Sequence, residues 1–546
     1  MIEKILLQKG LVSKEDYENA KEVAKSIGKK PIEVLLESGH ISKDDYLDII
    51  ASQLHIPAIK DLSKVRIKDI KIPIGILKQT LSVPVEESLN RVVVAMVDPL
   101  DWNSQSIIKR YFPNKEVVIG IAFEEDIKKI LSTIENSEKV RGIIENIKRE
   151  LGGAEIGDNQ SSVMDFIEYI IRNAIYKKSS DIHIEPIDEA GAEIRFRIFG
   201  TLYKFLDFEY EIYNALTSRI KILANLDISE RRKPQDGAFT MAIDGNSFDF
   251  RISTLPTIWG ESIVIRILDK RNILKRIDEI GITEKNLSLL KKALTSPGGI
   301  FLVTGPTGSG KSTTLYASIN EINSSSKKII TVEDPVEYKL KGIQQVQVNP
   351  RAGLDFASSL RSILRQDPDI IMIGEIRDLE TLNIAIKAAM TGHLVIATLH
   401  TNDAFSAIHR MIDMGADPFM ISTSLIGVEA QRLVKTVCNY CKTPYKPQDM
   451  YFDIVKNLPI VRDDTIFYKG VGCEKCNMTG YSGMTLITEI FLNDEKLESM
   501  IARNKDKVDM LEYLRSKGYD SMFFDGLYKA IKGITTLEEV FRVAKL

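Results

Sequence analysis

One short segment of the chain has the residue types and spacing needed to hold a chain of phosphates. Beginning at Gly305, it reads Gly-x-x-x-x-Gly-Lys-Ser, with Lys311 and Ser312 at its end. In a loop of this form, backbone N–H groups surround the phosphates, the lysine reaches the β and γ phosphates, and the serine hydroxyl is a Mg²⁺ ligand. The segment predicts an ATP site, with Ser312 as the magnesium ligand. We expect nucleotide contacts from Gly305, Pro306, Thr307, Gly308, Ser309, Gly310, Lys311, Ser312 and Thr313.

Two acidic residues follow apolar runs further along the chain. Glu333 comes after Lys328–Val332 and is positioned to polarise the attacking water, which phosphoryl transfer requires. Glu375 comes after Ile370–Ile373, in the place of a Walker-B acid, and we expect it to hold Mg²⁺ through the water shell of the ion. The alternative for either carboxylate is a helix N-cap or a surface charge.

Two of the six histidines flank the apolar run Leu394–Ala397. We expect His393, before this run, to sense the γ-phosphate. The role of His400, after the run, is left open. The alternative for each is a structural histidine with a satisfied hydrogen bond.

The four cysteines form two Cys-x-x-Cys pairs, and 31 residues lie between the pairs. Each such turn presents two thiolates on one side of a metal, and two turns complete a tetrahedral Zn²⁺ site. A single redox dithiol would need only one pair. We therefore predict a structural zinc module at about 435–485, in which the long spacer forms an insertion. Its ligands are Cys438, Cys441, Cys473 and Cys476.

The elements that must position these residues are several short apolar runs. The run Ile300–Val303 leads into the glycine-rich loop, and the three runs named above follow it. Runs of this kind are typical of parallel strands that are buried on both faces. The pattern predicts an α/β ATPase domain over residues 286–546.

Three further regions precede this domain. Residues 1–130 contain a repeat at an offset of 29 residues, in which Leu6–Tyr17 reappears as Leu35–Tyr46, and they predict a helical module followed by a small α/β unit. Residues 131–160 are charged and then glycine-rich, and predict a connecting helix and a linker. Residues 161–275 predict an α+β domain, because period-2 strands such as Glu193–Ile198 alternate with helices.

The composition excludes several classes of protein. A net charge of −3 argues against a protein that coats nucleic acid, so we expect no nucleic-acid partner. No apolar run reaches the roughly 18–20 residues that span a bilayer, and the N-terminus lacks a signal sequence. We expect a cytoplasmic protein that contacts the membrane only through partners.

Together these motifs resemble the secretion superfamily of traffic ATPases, most closely the type IV pilus assembly (extension) ATPases and the type II secretion ATPases. The Asp box is Ile330–Glu337, the atypical Walker B is Asp369–Asp378, and the His box runs from Thr391 to Asp403. The α+β domain over residues 161–275, the second domain, carries Ser180–Pro186 and Arg231–Gly237, which also match segments of this superfamily.

The resemblance implies a multidomain fold and a motor. A RecA-like P-loop domain would follow a PAS-like α+β domain and a helical/α-β N-terminal domain, in a homohexamer on the inner face of the cell membrane. ATP would lie between the PAS-like and P-loop domains, facing Arg251 and Arg266. The partners would be an inner-membrane platform protein and other pilus or secretion components. Matches to further interfacial arginines, whose alternative is surface ion pairing, fall on Arg361, Arg365 and Arg377.

The resemblance leaves three functions to separate. They are pilin polymerisation in type IV pilus assembly, type II secretion through a pseudopilus, and a nucleotide-binding scaffold without turnover. After the last cysteine, relatives often carry Gly-Tyr-Arg-Gly-Arg, whereas this chain reads Gly480–Met484 without either arginine. In the N-terminal repeat, relatives that bind cyclic di-GMP have Arg-Leu-Gly where Lys30–Ile32 stands here. We expect this domain to dock an inner-membrane partner, with cyclic di-GMP binding as the alternative.

Overall fold

The computed structural model describes most of the chain, and the chain divides into two compact units, Met1–Tyr169 and Ile170–Leu546. The first half of the N-terminal repeat begins before residue 12, and Lys30, Gly153 and Gly157 also lie outside the described residues. The described residues are 12–27, 31–37, 41–62, 65, 70–152, 162–269, 275–445, 447, 450–462 and 464–545.

The first unit opens with short helices that match the repeat. Ser13 Oγ accepts the Asp16 backbone N–H at 3.0 Å, and Ser42 Oγ accepts that of Asp45 at the same distance. Both copies therefore begin a helix with a serine N-cap, because the first N–H groups of a helix lack partners within it. The helices are Lys14–Ile27, Pro31–Glu37 and Lys43–Leu54.

A small α/β unit follows in the same part of the chain. Strand β1 (Ser82–Glu87) pairs antiparallel with β2 (Arg91–Met96), and β2 pairs in parallel with β3 (Glu116–Ile121). The domain boundary expected at residue 130 falls inside a long helix, whose buried Leu131 and Ile134 join the core of this unit. The helices are Ile74–Thr80, Trp102–Lys109 and Glu124–Leu151.

The second unit begins within the helix Ser162–Tyr176 and first forms a six-stranded antiparallel sheet of order β6-β5-β4-β9-β8-β7. The helix Tyr210–Leu223 lies between β6 and β7 in the chain. The burial of β5 alternates residue by residue, as its period-2 sequence predicts. The strands are β4 (Ser179–Pro186), β5 (Gly191–Ile198), β6 (Thr201–Glu209), β7 (Gln235–Ile243), β8 (Asn246–Thr257) and β9 (Gly260–Asp269).

A seven-stranded sheet of order β12-β11-β13-β14-β10-β15-β18 forms the rest of the unit, parallel except for β18. Alternate residues of its central strands belong to two cores: Ile300 and Leu302 to one, Phe301 and Val303 to the other. The strands are thus buried on both faces, as their apolar runs predict. They are β10 (Gly299–Thr304), β11 (Ile329–Glu333), β12 (Gln344–Gln347), β13 (Ile370–Ile373), β14 (Leu394–Leu399), β15 (Leu425–Val437) and β18 (Tyr481–Leu492).

Helices cover this sheet, and a two-stranded insertion separates β15 from β18. The insertion pairs β16 (Lys442–Tyr445) antiparallel with β17 (Phe467–Gly470) and contains the helix Met450–Val455. The other helices of this region are Glu284–Leu294, Lys311–Ile322, Phe356–Ile363, Leu379–Met390, Ser406–Asp413, Pro418–Ser424, Glu495–Ala502, Lys507–Ser516, Met522–Ile531 and Leu537–Val543.

Candidate functional site

The glycine-rich loop leaves the carboxyl end of the buried strand β10 and turns directly into the helix Lys311–Ile322. Gly305, Gly308 and Gly310 have φ angles of 146°, 77° and 90°, a region that side chains with a Cβ rarely adopt. A Cβ on Gly305 would lie 2.5 Å from Ser309 Oγ and 2.7 Å from Gln431 O. The tight loop therefore requires glycine, and it presents the free N–H groups of a helix N-terminus, where anions bind.

Lys311 lies folded onto its own loop. Its Nζ donates to the carbonyls of Gly305 at 2.9 Å and Pro306 at 3.0 Å. Burial, together with the charge of Arg432, lowers the pKa of the ammonium to about 8. Ser312 and Thr313 lie in the first turn of the helix, where Thr313 is exposed and Ser312 is also open to solvent. The structure therefore brings the loop, a cation and a serine hydroxyl to one place, as ATP binding requires.

Glu333 ends strand β11 and is buried. Its carboxylate accepts hydrogen bonds from Thr331 Oγ1 at 2.6 Å, Gln345 Nε2 at 3.1 Å and the hydroxyl of Tyr316. Burial and this carboxylate raise the pKa of Tyr316, so the hydroxyl stays protonated and donates. Tyr316 is a partner that sequence reasoning missed, although it lies on the helix that follows the P-loop.

Glu375 follows β13 by two residues and forms part of a charged cluster. His400 Nε2 lies 3.1 Å from one carboxylate oxygen, and Arg377 pairs with the other. Arg377 also lies 3.4 Å from Asp334 of the Asp box. Burial, with the charges of Lys311 and Arg377, lowers the pKa of His400. The cluster thus joins the Walker-B, Asp-box and His-box segments beside the P-loop lysine.

The structure does not bring His393, the residue predicted to sense the γ-phosphate, to the P-loop of its own chain. Strands β10 and β14 are parallel and in register from Gly299↔Leu394 to Thr304↔Leu399. The P-loop follows Thr304, whereas His393 precedes Leu394, so about 20 Å of strand separates them. His393 Nδ1 instead lies 2.9 Å from the carbonyl of Ala388. This contact matches the alternative of a structural histidine, and His400 occupies the edge that carries the P-loop.

The predicted arginines of the second domain lie side by side, because Arg251 on β8 pairs in register with Arg266 on β9. Arg251 Nη1 lies 2.9 Å from Glu337 of the Asp box, and its Nη2 donates to the carbonyl of Val336 at 3.4 Å. Arg266 pairs with Asp181 at 3.0 Å and is largely exposed. The structure thus brings Arg251, but not Arg266, onto the ATPase domain of its own chain.

The remaining predicted arginines make local contacts. Arg361 pairs with Glu380, and Arg365 donates to the carbonyl of Arg361 at 2.8 Å and to Ser362 Oγ at 3.2 Å. The Arg361 contact matches the alternative of surface ion pairing, whereas Arg365 makes only hydrogen bonds to neighbours on its own segment.

Gln431 is a second residue that sequence reasoning missed. Its Nε2 donates to the Ser309 carbonyl at 2.8 Å, and Thr314 Oγ1 donates to its Oε1 at 2.8 Å. The fully buried carboxamide therefore ties the P-loop to the following helix. No sequence signal singled it out, because the same strand also carries Glu429, Arg432 and Lys435.

The four cysteine sulfurs lie within 4.8 Å of one another. Sγ separations are 3.8 Å for Cys438–Cys473, 3.8 Å for Cys441–Cys476 and 3.7 Å for Cys473–Cys476. Zinc–sulfur bonds of about 2.3 Å in a tetrahedron place sulfurs about 3.8 Å apart, far longer than a disulfide. The backbone N–H of Gly472 also donates to Cys441 Sγ at 3.3 Å, a contact that favours a thiolate. The donor set and spacing fit zinc.

Comparison with known proteins decides the family. The family model described as type II/IV secretion system protein matches residues 157–542, and the MshEN domain model matches residues 55–141. The chain belongs to the type II/IV secretion system protein family. The fold agrees, because the ATPase DotB of Legionella pneumophila superposes with a TM-score of 0.52 at 21% identity, over 69% of this chain and 95% of that one.

Relatives in two systems resemble the chain. The type IV pilus assembly ATPase PilB of Myxococcus xanthus is 37% identical over 98% of this chain and 97% of its own length. The type II secretion system protein E of Dickeya dadantii is 46% identical over 71% of this chain and 77% of its own length. PilB of Thermus thermophilus is 42% identical over 83% of this chain, which spans only 52% of that protein. With these relatives and a complete P-loop, the chain is an ATPase of the secretion and pilus assembly family.

Among the helices that the structure describes, none is both long and apolar enough to span a membrane.

Proposed function

We propose that the chain is the motor ATPase of type IV pilus assembly, which couples ATP hydrolysis to pilin polymerisation. The observation that carries this choice is the extent of similarity. The match to the Myxococcus pilus assembly ATPase covers 98% of the chain, whereas the match to the Dickeya secretion protein covers 71%. The similarity to the pilus protein therefore includes the N-terminal unit.

The test is deletion of the gene in its own host, followed by electron microscopy of pili and an assay of secreted enzymes. Loss of pili with intact secretion, restored by the wild-type gene, is the expected result. Loss of secretion with intact pili would assign the chain to type II secretion through a pseudopilus. A third function, a nucleotide-binding scaffold, requires that a variant without turnover still restores the lost structure.

The site supports a division of roles. Lys311 binds the β and γ phosphates, and Glu333 polarises the attacking water from the end of β11. Ser312 and Glu375 would hold Mg²⁺, Glu375 through the water shell of the ion, and the metal would offset phosphate charge. His400, which contacts Glu375 at 3.1 Å, takes the γ-phosphate role first assigned to His393.

We also propose that the working unit is a homohexamer in which the PAS-like α+β domain closes onto the nucleotide. The contact between Arg251 and Glu337 supports this, because it shows that the arginine-bearing sheet fits against the Asp box. Arg251 and Arg266 would then offset charge that develops on the phosphates. Mass photometry with Mg-ATP tests the assembly: a particle of six chains is expected, and a persistent monomer at all protein concentrations would contradict it.

The four-cysteine cluster is proposed as a structural zinc site. Elemental analysis of the purified chain should give one zinc per chain, and Cys476→Ser should lower both the zinc content and the melting temperature. A full-length protein that is folded, metal-free and equally stable would refute the assignment.

For location and partners, we propose a cytoplasmic protein held at the inner face of the cell membrane by its platform protein. The N-terminal unit is the proposed docking module, with cyclic di-GMP binding as the alternative. Titration calorimetry with cyclic di-GMP separates the two: no heat of binding is expected, and saturable binding would favour the alternative.

A further inference from the structure

Arg432 lies on strand β15, beside the strand that leads into the P-loop. β10 and β15 are parallel neighbours, with Thr304 opposite Ala430. Arg432 is two residues beyond this pair, so its backbone is level with the beginning of the glycine-rich loop. No sequence motif singles it out.

The guanidinium of Arg432 is only partly satisfied. Its Nη2 donates to the backbone carbonyl of Asn402 at 3.3 Å and to its Oδ1 at 3.2 Å. Its Nη1 is buried and has no hydrogen-bond partner. Within the residues that the structure describes, no carboxylate lies at ion-pair distance from it. A buried donor on a charged group is costly unless an acceptor reaches it.

Four of the five other arginines predicted near the site differ in this respect, because each has a carboxylate partner: Glu337 for Arg251, Asp181 for Arg266, Glu380 for Arg361 and Glu375 for Arg377. Two carboxylates, Glu489 and Asp403, partly offset the lowering of the Arg432 pKa that burial causes. Glu489 is occupied by the backbone N–H groups of Ala404 and Met522, and Asp403 by Ser406.

The register of β15 against β10 places Arg432 beside the start of the P-loop, and the charge of Arg432 helps to lower the pKa of Lys311. Two neighbouring cations repel each other, and an anion between them removes that repulsion. A triphosphate on the P-loop provides such an anion, and a guanidinium is well suited to phosphate because its N–H groups form a planar fork.

We propose that Arg432 is a nucleotide-binding residue that donates from Nη1 to the phosphates of ATP held by the P-loop of the same chain. Asn402 fixes Nη2, so the guanidinium is oriented before the nucleotide arrives. The inference rests on the proposed use of this P-loop for ATP. It adds a phosphate ligand from the same chain to the arginines that the second domain is expected to supply.

The test uses the full-length protein and two readouts: the melting temperature without nucleotide, and the Kd for Mg²⁺ with a non-hydrolysable ATP analogue. Arg432→Met should leave the melting temperature unchanged or raise it, because it removes an unpartnered buried donor. It should weaken the analogue by about 10- to 100-fold, the usual loss for a charged hydrogen bond. Arg432→Lys keeps the charge but not the fork, and should weaken binding by less.

Lys435→Met is the matched control, since Lys435 is a cation three residues along the same strand. It lies 3.6 Å from Glu539, so its loss should lower the melting temperature and leave the Kd unchanged. An unchanged Kd in both Arg432 variants overturns the proposal, as does a Kd that weakens equally in Lys435→Met. If the wild-type chain itself fails to bind the analogue, the proposed ATP site fails and this inference fails with it.

Discussion

The seven-stranded sheet has an amino edge, where its parallel strands begin, and a carboxyl edge, where they end. The polar side chains at these two edges have different roles. At the amino edge, the His393 side chain makes local contacts that close the turn before β14, to the Ala388 carbonyl and to Thr391 Oγ1. At the carboxyl edge, Lys311, Glu375 and His400 form a charged cluster in which side chains from separate strands meet. In a parallel sheet, ligands bind at the carboxyl ends of the strands. The comparison indicates that chemistry belongs to the carboxyl edge and turn stability to the amino edge.

The largest expected effect is that of Glu333→Gln, at the carboxyl edge. Turnover should fall by about 10²–10⁴-fold, the range for loss of a general base, because an amide cannot take a proton from water. ATP binding should be retained, since Glu333 does not belong to the P-loop. Steady-state ATPase assays and titration calorimetry measure the two quantities. The control is Glu321→Gln, which changes an exposed carboxylate on the helix after the P-loop. Unchanged turnover in Glu333→Gln would show that Glu333 is not the base.

Arg251→Ala should have the next largest effect. Loss of a cation that stabilises developing phosphate charge lowers kcat by about 10²-fold, with a smaller change in KM. Arg276→Ala removes an exposed arginine that pairs with Asp278 and should leave the kinetics unchanged. A kcat for Arg251→Ala within twofold of the wild type would mean that the second domain does not assist the chemistry.

The two histidines give the sharpest comparison of the edges. His400→Ala should lower kcat by about tenfold, as a charged hydrogen bond near the phosphates is lost. His393→Ala should leave kcat unchanged and lower the melting temperature by about 2 °C, because only a turn hydrogen bond is removed. The same two assays serve both variants. The reverse pattern would restore the role first given to His393.

A pH dependence of ATP binding should follow as well, without any change of residue. Burial and Arg432 lower the pKa of Lys311 to about 8, so the free ammonium loses its proton as pH rises through that value. Affinity should be constant below pH 8 and fall above it by up to about tenfold per unit, because ATP selects the charged form. Lys311→Arg should flatten the profile over this range. Calorimetry from about pH 6.5 to about pH 9.5 measures it, and constant affinity in the wild type would contradict the shift.

Local patterns predicted much of this architecture. The strands and the P-loop follow from short apolar runs and glycine spacing. Each Cys-x-x-Cys turn positions two sulfurs, so two such turns predict one four-cysteine cluster. Strand direction alone separates the histidines: β10 and β14 are parallel, so the residue after β14, not the one before it, lies beside the P-loop. The apolar runs already predict parallel strands, so this placement of the two histidines follows from the sequence once strand direction is applied to the motif.

Other features depend on contacts between residues far apart in the chain. Gln431 reaches the P-loop across 122 positions, and Arg432 is placed by the pairing of β15 with β10. Tyr316 meets Glu333 because a helix and a strand pack together. No local pattern encodes such meetings, since they arise from the packing of the sheet.

A structure of the full-length chain with Mg²⁺ and a non-hydrolysable ATP analogue would locate the phosphates themselves. We expect the γ-phosphate to lie within about 3.5 Å of the Lys311 ammonium, at the carboxyl edge near His400 and Arg432. A nucleotide whose phosphates lie at the amino edge, beside His393, would contradict it.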